Sequence, residues 1–302
     1  MDTLIIIGNG FDIAHDLPTR YSDFKSYLEN NTESSDDKYF YDSLNAYIDN
    51  EILWSSFEKA LGILDEDKLR DDCLTCLPSY GDEDWSDSGH YSYQYELEKR
   101  LQFSSQISMY LKRWINQIYI ENNSVFSSKL INQNYLFVSF NYTDTLEQIY
   151  KIPNEKILYI HGRAKNSDEL IAGHHDKNLL KNDEVNYCDK DTRIESGNFI
   201  INDYYNKTFK NTESIIKENI LFFDSLSKIS TIYVLGHSLS EIDIDYFEKI
   251  KSIVLSNAYW HISYYNENDK KHIRNFKEKL ELHNLEVTHI DKFKNNRVIP
   301  FW

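Results

Sequence analysis

The chain reads as an α/β protein, a doubly wound, mostly parallel, Rossmann-like sheet carrying a large helical insertion. Three observations lead there. Short apolar runs alternate with helical patterns, and that alternation imposes parallel pairing with crossovers. The first run, Thr3-Leu-Ile-Ile-Ile7, passes directly into Gly8-Asn9-Gly10-Phe11-Asp12, a turn of the kind that ends the first strand of a nucleotide-binding sheet. Residues 31–130, between the first apolar run and the next, carry only helical patterns.

Thr3–Ile7 is mostly β-branched, which predicts a strand buried on both faces. Glycine lacks a Cβ, so the backbone N–H groups of the turn can approach a phosphate or ribose closely. The third glycine of the dinucleotide fingerprint is missing, and Ala14 stands at the wrong distance. A tight strand-to-helix turn without a ligand is the alternative. Pro18 makes residues 16–24 a loop, and a helix then runs towards Glu29. Helical spacing returns over 38–62 through Leu44, Tyr47, Leu53, Trp54, Phe57 and Leu61. Residues 78–92 predict a long loop. From Tyr93 to about Glu121 a single long helix is expected, with Leu97, Leu101, Ile107, Leu111, Trp114, Ile115 and Ile118 on one face.

Strands are predicted again at Tyr135–Ser139, Ile157–Ile160, Ile232–Leu235, Tyr259–Tyr265 and Glu286–Ile290, with a short possible one at Ile171–His175. Residues 176–212 are polar and read as irregular. Helices are expected over 213–229, from the fourth strand to about Leu255, and over 269–283. The division that follows is an α/β nucleotide-binding domain of residues 1–30 and 131–302 with a helical insertion of residues 31–130.

Composition excludes several function classes. A formal net charge of −16 repels nucleic-acid backbones and anionic membranes. No apolar run approaches the ~18 residues of a membrane span, and no leader precedes the first strand, so a cytoplasmic protein is expected. The three cysteines make no disulfide framework. Cys73 and Cys76 have the spacing of half a zinc site, but only Cys188 remains, so two ordinary thiols are the better reading.

Four strand ends carry compact polar groups: Gly8-Asn9-Gly10, Asn141 to Asp144, His161-Gly162 and Gly236-His237-Ser238. Parallel strands bring such ends to one edge, where ligands bind. Each residue also has a plainer role. Asp12, Asp144 and Ser238 suit helix caps, and Asn141 suits a turn. Asp243 and Asp245 suit solvent near a helix start. His174, His175 and Asp176 are adjacent on one backbone and point apart, which disfavours a metal.

With Leu17-Pro18-Thr19 and Tyr21-x-Asp23-Phe24, the opening Gly8–Asp12 resembles that of the AbiH family of bacterial abortive-infection proteins. More distantly, the motifs resemble the sirtuin-like NAD-binding fold. Leu17-Pro18 is similar to its cofactor loop. Asn141-Tyr-Thr-Asp144-Thr-Leu-Glu147 resembles its Asn-x-Asp-x-Leu-Glu motif with one residue more. His161-Gly162 matches the pair that carries its base, and Gly236-His237-Ser238-Leu239 resembles its Gly-Thr-Ser-Leu. Tyr265-Asn266 stands where that fold has a strand ending in Ile-Asn. The four-cysteine zinc module of sirtuins is missing, which argues against deacylation.

The resemblance implies an anti-phage protein that hydrolyses the nicotinamide–ribose bond of NAD, with His161 and Asn141 catalytic. Gly8, Asn9, Gly10, Phe11, Asp12, Pro18, Thr19, Asp144, Gly236, His237, Ser238 and Asn266 would contact NAD, which is both ligand and substrate. No metal is implied. A phage-derived trigger or partner defence protein and a homo-oligomer are the expected partners. The alternative is a nucleotide-binding sensor without catalysis, using the face of Leu111, Trp114 and Ile118 to recruit a partner.

Overall fold

The computed structural model describes residues 2–81, 89–127, 129–180 and 191–295. Its six strands are β1 (Thr3–Ile7), β2 (Leu136–Ser139), β3 (Ile157–Tyr159), β4 (Thr231–Leu235), β5 (Tyr259–Tyr264) and β6 (Leu285–His289). They form one sheet in the order β3-β2-β1-β4-β5-β6, and every neighbouring pair is parallel. This is the doubly wound Rossmann order, whose topological switch point lies between β1 and β4. All five residues of β1 are buried, as a central strand covered on both faces requires.

Register decides what meets at the carboxyl edge. Ile7 pairs with Ser139 of β2 and with Leu235 of β4, and Ser139 pairs with Tyr159 of β3. Gly8, Phe140, Ile160 and Gly236 therefore leave the sheet level with one another. On one face Ile5, Ile7, Phe137, Leu146, Ile157 and Leu235 pack with Phe11 and Phe126, whose rings stack at 4.9 Å. Leu4 and Ile6, also buried, point to the opposite face by the two-residue period of a strand.

The chain divides into two compact units. The first holds the described parts of residues 1–20, 111–170 and 211–302, and it contains the whole sheet. The second holds the described parts of residues 21–110 and 171–210 and is helical. In it, helix Thr192–Lys207 lies against helix Ser92–Leu101, so closely that a Cβ on Gly197 would stand 2.2 Å from the Tyr93 ring. Lys210, fully buried, is paired with Glu58 at 2.7 Å.

By compactness the helical unit runs over residues 21–110 and 171–210, whereas the sequence reading places the helical insertion at residues 31–130. Several expectations about single elements are corrected. The polar stretch 176–212 contains the 16-residue helix Thr192–Lys207, capped by Asp191. Its buried Ile201, Tyr204 and Tyr205 outweigh its polarity. Residues 181–190 lie outside the described residues. The single helix expected from Tyr93 is two, Ser92–Leu101 and Phe103–Ile115. At the break the Ser104 and Ser105 hydroxyls bond to the carbonyls of Leu101 and Gln102, competing with the helical ladder. Region 38–62 is three helices, Ser35–Tyr47, Asn50–Ser55 and Phe57–Ala60, and 213–229 is broken at Asn219. Residues 171–175 form only a single bridge, His174 to Phe209. Among the described residues no helix is long and apolar enough to cross a membrane.

Candidate functional site at the carboxyl edge of the sheet

The glycine turn is stitched to the end of β4. Gly8 N–H donates to the Leu235 carbonyl at 3.1 Å, and Gly10 N–H to the Gly236 carbonyl at 2.7 Å. A Cβ on Gly8 would lie 2.6 Å from His237 Cα, and one on Gly10 2.8 Å from Gly236 Cα. Gly236 itself has φ of +64°, with Phe11 N 2.3 Å from where a Cβ would stand. These glycines thus serve the approach of two backbones. The expectation that their N–H groups face a phosphate is corrected, because both protons are already taken by the carbonyls of Leu235, the last residue of β4, and Gly236, the next residue.

Helix Asn9–Ala14 starts in the turn, and its sequence-predicted residues divide by role. Asn9 Nδ2 donates to the Thr19 carbonyl at 2.7 Å and so fastens the loop that follows. In that loop Pro18 is exposed, while Thr19 is buried and its hydroxyl oxygen has no hydrogen-bond partner. Phe11 is a core residue.

Asp12 is not the helix cap that its position suggests. It lies inside the helix, 1% exposed, and accepts from the Thr143 hydroxyl at 2.6 Å and the Thr145 hydroxyl at 2.8 Å. Burial pushes its carboxyl up to about 6, against the lowering effect of hydrogen bonds from Thr143, Thr145 and Asn141. Asp12 therefore clamps the turn after β2 onto the turn after β1. Asn141 completes the clamp, its Nδ2 donating to the Gly8 carbonyl at 3.0 Å. Its other end, Oδ1, is buried and has no partner.

The third cluster joins β3 to β4. His161 follows β3, and its Nε2 lies 3.5 Å from Asp243 Oδ1. The other carboxylate oxygen, Oδ2, lies 3.6 Å from His237 Nε2. Phe140 packs edge-on against both imidazoles, with ring centres 5.3 Å from His161 and 4.3 Å from His237. Asp243 corrects the solvent-facing expectation, being 5% exposed. The loop from Gly236 turns back so that the following helix presents Asp243 inward. Sequence reasoning also missed Thr143 and Thr145, although both lie in the quoted Asn141–Glu147 motif. It missed Ser263 too, whose hydroxyl accepts from Gly236 N–H at 2.8 Å.

The remaining predicted residues stand apart from these clusters. Asp144 receives Gln148 Nε2 at 2.9 Å and Lys165 at 2.8 Å, with no side-chain cap of its helix. Ser238 is exposed. Asn266 caps helix Glu267–Lys279 in a reciprocal capping box with Asp269. Leu111 and Trp114, expected on a recruiting face, are buried. His174 is buried with Nε2 3.0 Å from the Tyr205 carbonyl, and burial holds its imidazole below the usual range. Cys73 is buried and its thiol pushed up to about 11, mainly by burial, while Cys76 is exposed. Cys188 lies outside the described residues. Among the described residues no group of three His, Cys, Asp or Glu side chains is placed to hold a metal ion.

The parallel sheet, its strand order and the polar groups gathered at its carboxyl edge define a Rossmann-like α/β protein. The chain belongs to the bacteriophage abortive infection AbiH family, whose family model matches residues 4–264. Comparison with curated proteins and with solved structures gives no match.

Proposed function

We propose that this AbiH-family protein acts in abortive infection by binding NAD at the carboxyl edge of its sheet and hydrolysing the nicotinamide–ribose bond. One observation carries the reading, the orphaned Asn141 Oδ1. The Gly8 carbonyl can only accept, so it holds the Nδ2 end of the amide and leaves the oxygen over. A buried acceptor without a donor costs about 1–3 kcal/mol, and a ligand N–H or O–H removes that cost. The nicotinamide carboxamide, a ribose hydroxyl and the attacking water each bring such a donor.

His161, at the next strand end, supplies the base. Cleavage passes through an oxocarbenium-like transition state. Water adds to the ribose C1′ and gives its proton to His161. Nicotinamide leaves with the electron pair of the broken bond, which neutralises its pyridinium. Burial of His161 and Asn141 favours this chemistry, because charge-stabilising contacts are stronger where water is excluded. The loop of Leu17, Pro18 and Thr19, held by Asn9, is the element that would admit the dinucleotide. Pyrophosphate contacts fall to groups other than the Gly8 and Gly10 amides.

The test is nicotinamide release from NAD by the purified chain, with and without phage-derived triggers. Release by the wild type, lowered about 10²-fold or more in Asn141→Ala and His161→Ala, is the expected result. Absence of release under every trigger sinks the catalytic reading. The same buried Asn141 acceptor, which a bound nucleotide would satisfy without any reaction, supports a second reading, a nucleotide sensor without catalysis. It predicts NAD binding by calorimetry with no nicotinamide released.

A further inference from the structure

Asp243 lies between two imidazoles, each with one ring nitrogen 3.5 or 3.6 Å from one of its oxygens, and the donors and acceptors around it have a fixed order. The chain of constraint starts at a backbone amide. Leu239 N–H donates to His237 Nδ1 at 2.9 Å. An amide N–H cannot accept, so His237 Nδ1 carries a lone pair and the neutral ring holds its proton on Nε2. That Nε2 faces Asp243 Oδ2 at 3.6 Å. The second oxygen of the same carboxylate faces His161 Nε2 at 3.5 Å. A carboxylate only accepts, so it selects the His161 tautomer with the proton on Nε2 and the lone pair on Nδ1.

The rings have little room to depart from this arrangement. Phe140 packs against both, and Phe247 sits 5.1 Å from His237. The loop that carries His237 has left-handed backbone at Gly236 (φ +64°) and Leu239 (φ +54°), and Ser263 holds it at Gly236 N–H. The two imidazole–carboxylate contacts are longer than the usual 2.7–3.2 Å, as is common around catalytic bases before substrate binds.

We infer that Asp243 is a positioning residue that sets the tautomer of His161, and that His237, itself fixed by the Leu239 amide, orients Asp243. The catalytic consequence rests on His161 being the base of the proposed hydrolysis. The tautomer assignment does not.

The D243N variant makes the inference sharp. The His237 Nε2 proton would draw the new amide's oxygen, which turns the amide NH₂ towards His161 Nε2. His161 must then accept at Nε2 and carry its proton on Nδ1, the wrong tautomer for a base acting through Nδ1. Replacing His237 by Phe keeps a ring against Phe140 and Phe247 but removes the donor that orients the amide. The H237F/D243N double variant should therefore restore part of the original His161 tautomer.

The experiment is long-range ¹H–¹⁵N spectroscopy of the full chain labelled at histidine nitrogen, above pH 7, beside nicotinamide release. In the wild type both His161 and His237 should carry the proton on Nε2. In D243N, His161 should move to the Nδ1 form while the His237 signals stay in place, which also reports that the variant is folded. Where the wild type releases nicotinamide, D243N should lower kcat by on the order of 10²- to 10⁴-fold with KM little changed. A wild-type His161 protonated on Nδ1 overturns the inference without any variant. So does a D243N protein with intact His237 signals and an unmoved His161. The expected tautomers in a chain that never releases nicotinamide support the relay and reject the hydrolase reading.

Discussion

Replacing Asp12 by asparagine tests the clamp between the turns after β1 and β2. Asp12 is fully enclosed and its carboxyl is pushed from 3.8 up to about 6, mainly by burial. At about 1.4 kcal/mol for each tenfold change in proton affinity, ionising Asp12 in the fold costs roughly 3 kcal/mol more than in the unfolded chain. The sign follows from proton counting. Between pH 4 and 6 the folded state binds more protons at this site than the unfolded state, so stability falls as pH rises, and the full cost is present above about pH 6. Asparagine carries no charge, so its effect on the clamp's hydrogen bonds is constant with pH while the wild-type cost is not. The stability of D12N relative to the wild type should therefore improve by about 2–2.5 kcal/mol between pH 4 and pH 7, because part of the cost is already present at pH 4.

Hydrogen exchange of the β1 and β2 amides is the suitable assay, because it reads the sheet-bearing unit separately from the helical one. The two pH values also avoid the isoelectric region near 5.0, where solubility is lowest. A stability difference that does not change between pH 4 and pH 7 would show that Asp12 bears no burial cost and would refute the argument.

Two further outcomes concern single contacts. Gly10→Ala places a methyl 2.8 Å from the Gly236 backbone, which cannot rotate away. The substitution should cost about 1–3 kcal/mol and lower the thermal midpoint in calorimetry. An unchanged midpoint would mean that the two turns are not in forced contact. Asn266→Ala removes a capping box from helix Glu267–Lys279 and should cost about 1 kcal/mol in a urea titration. Its NAD affinity and nicotinamide release should match the wild type, and a loss of either would restore Asn266 to the ligand site.

What the sequence determined by itself was set by short-range rules. Five buried residues ending in Gly8-Asn9-Gly10 are a strand and its turn whatever surrounds them. The alternation of strands and helices required the parallel sheet that β1 to β6 form. Parallel order then put Gly8, Asn141, His161 and Gly236 at one edge, because all strands end on the same side. What only the tertiary structure decided was partnership. Whether a glycine N–H is open to a ligand depends on what stands opposite, and for Gly8 and Gly10 that is the end of β4, more than two hundred residues later. Asp12 looked like a cap because its neighbours are helical, yet its partners Thr143 and Thr145 arrive with β2. Asp243 has the local signature of a solvated helix start and is buried because His161, arriving from the end of β3, and His237, at the end of its own strand β4, both face it. Helix Thr192–Lys207 escaped detection for a related reason, since its small Gly197 is explained only by the Tyr93 ring packed against it. Periodicity is written along the chain, but burial and hydrogen-bond partners are supplied by residues that only folding brings near.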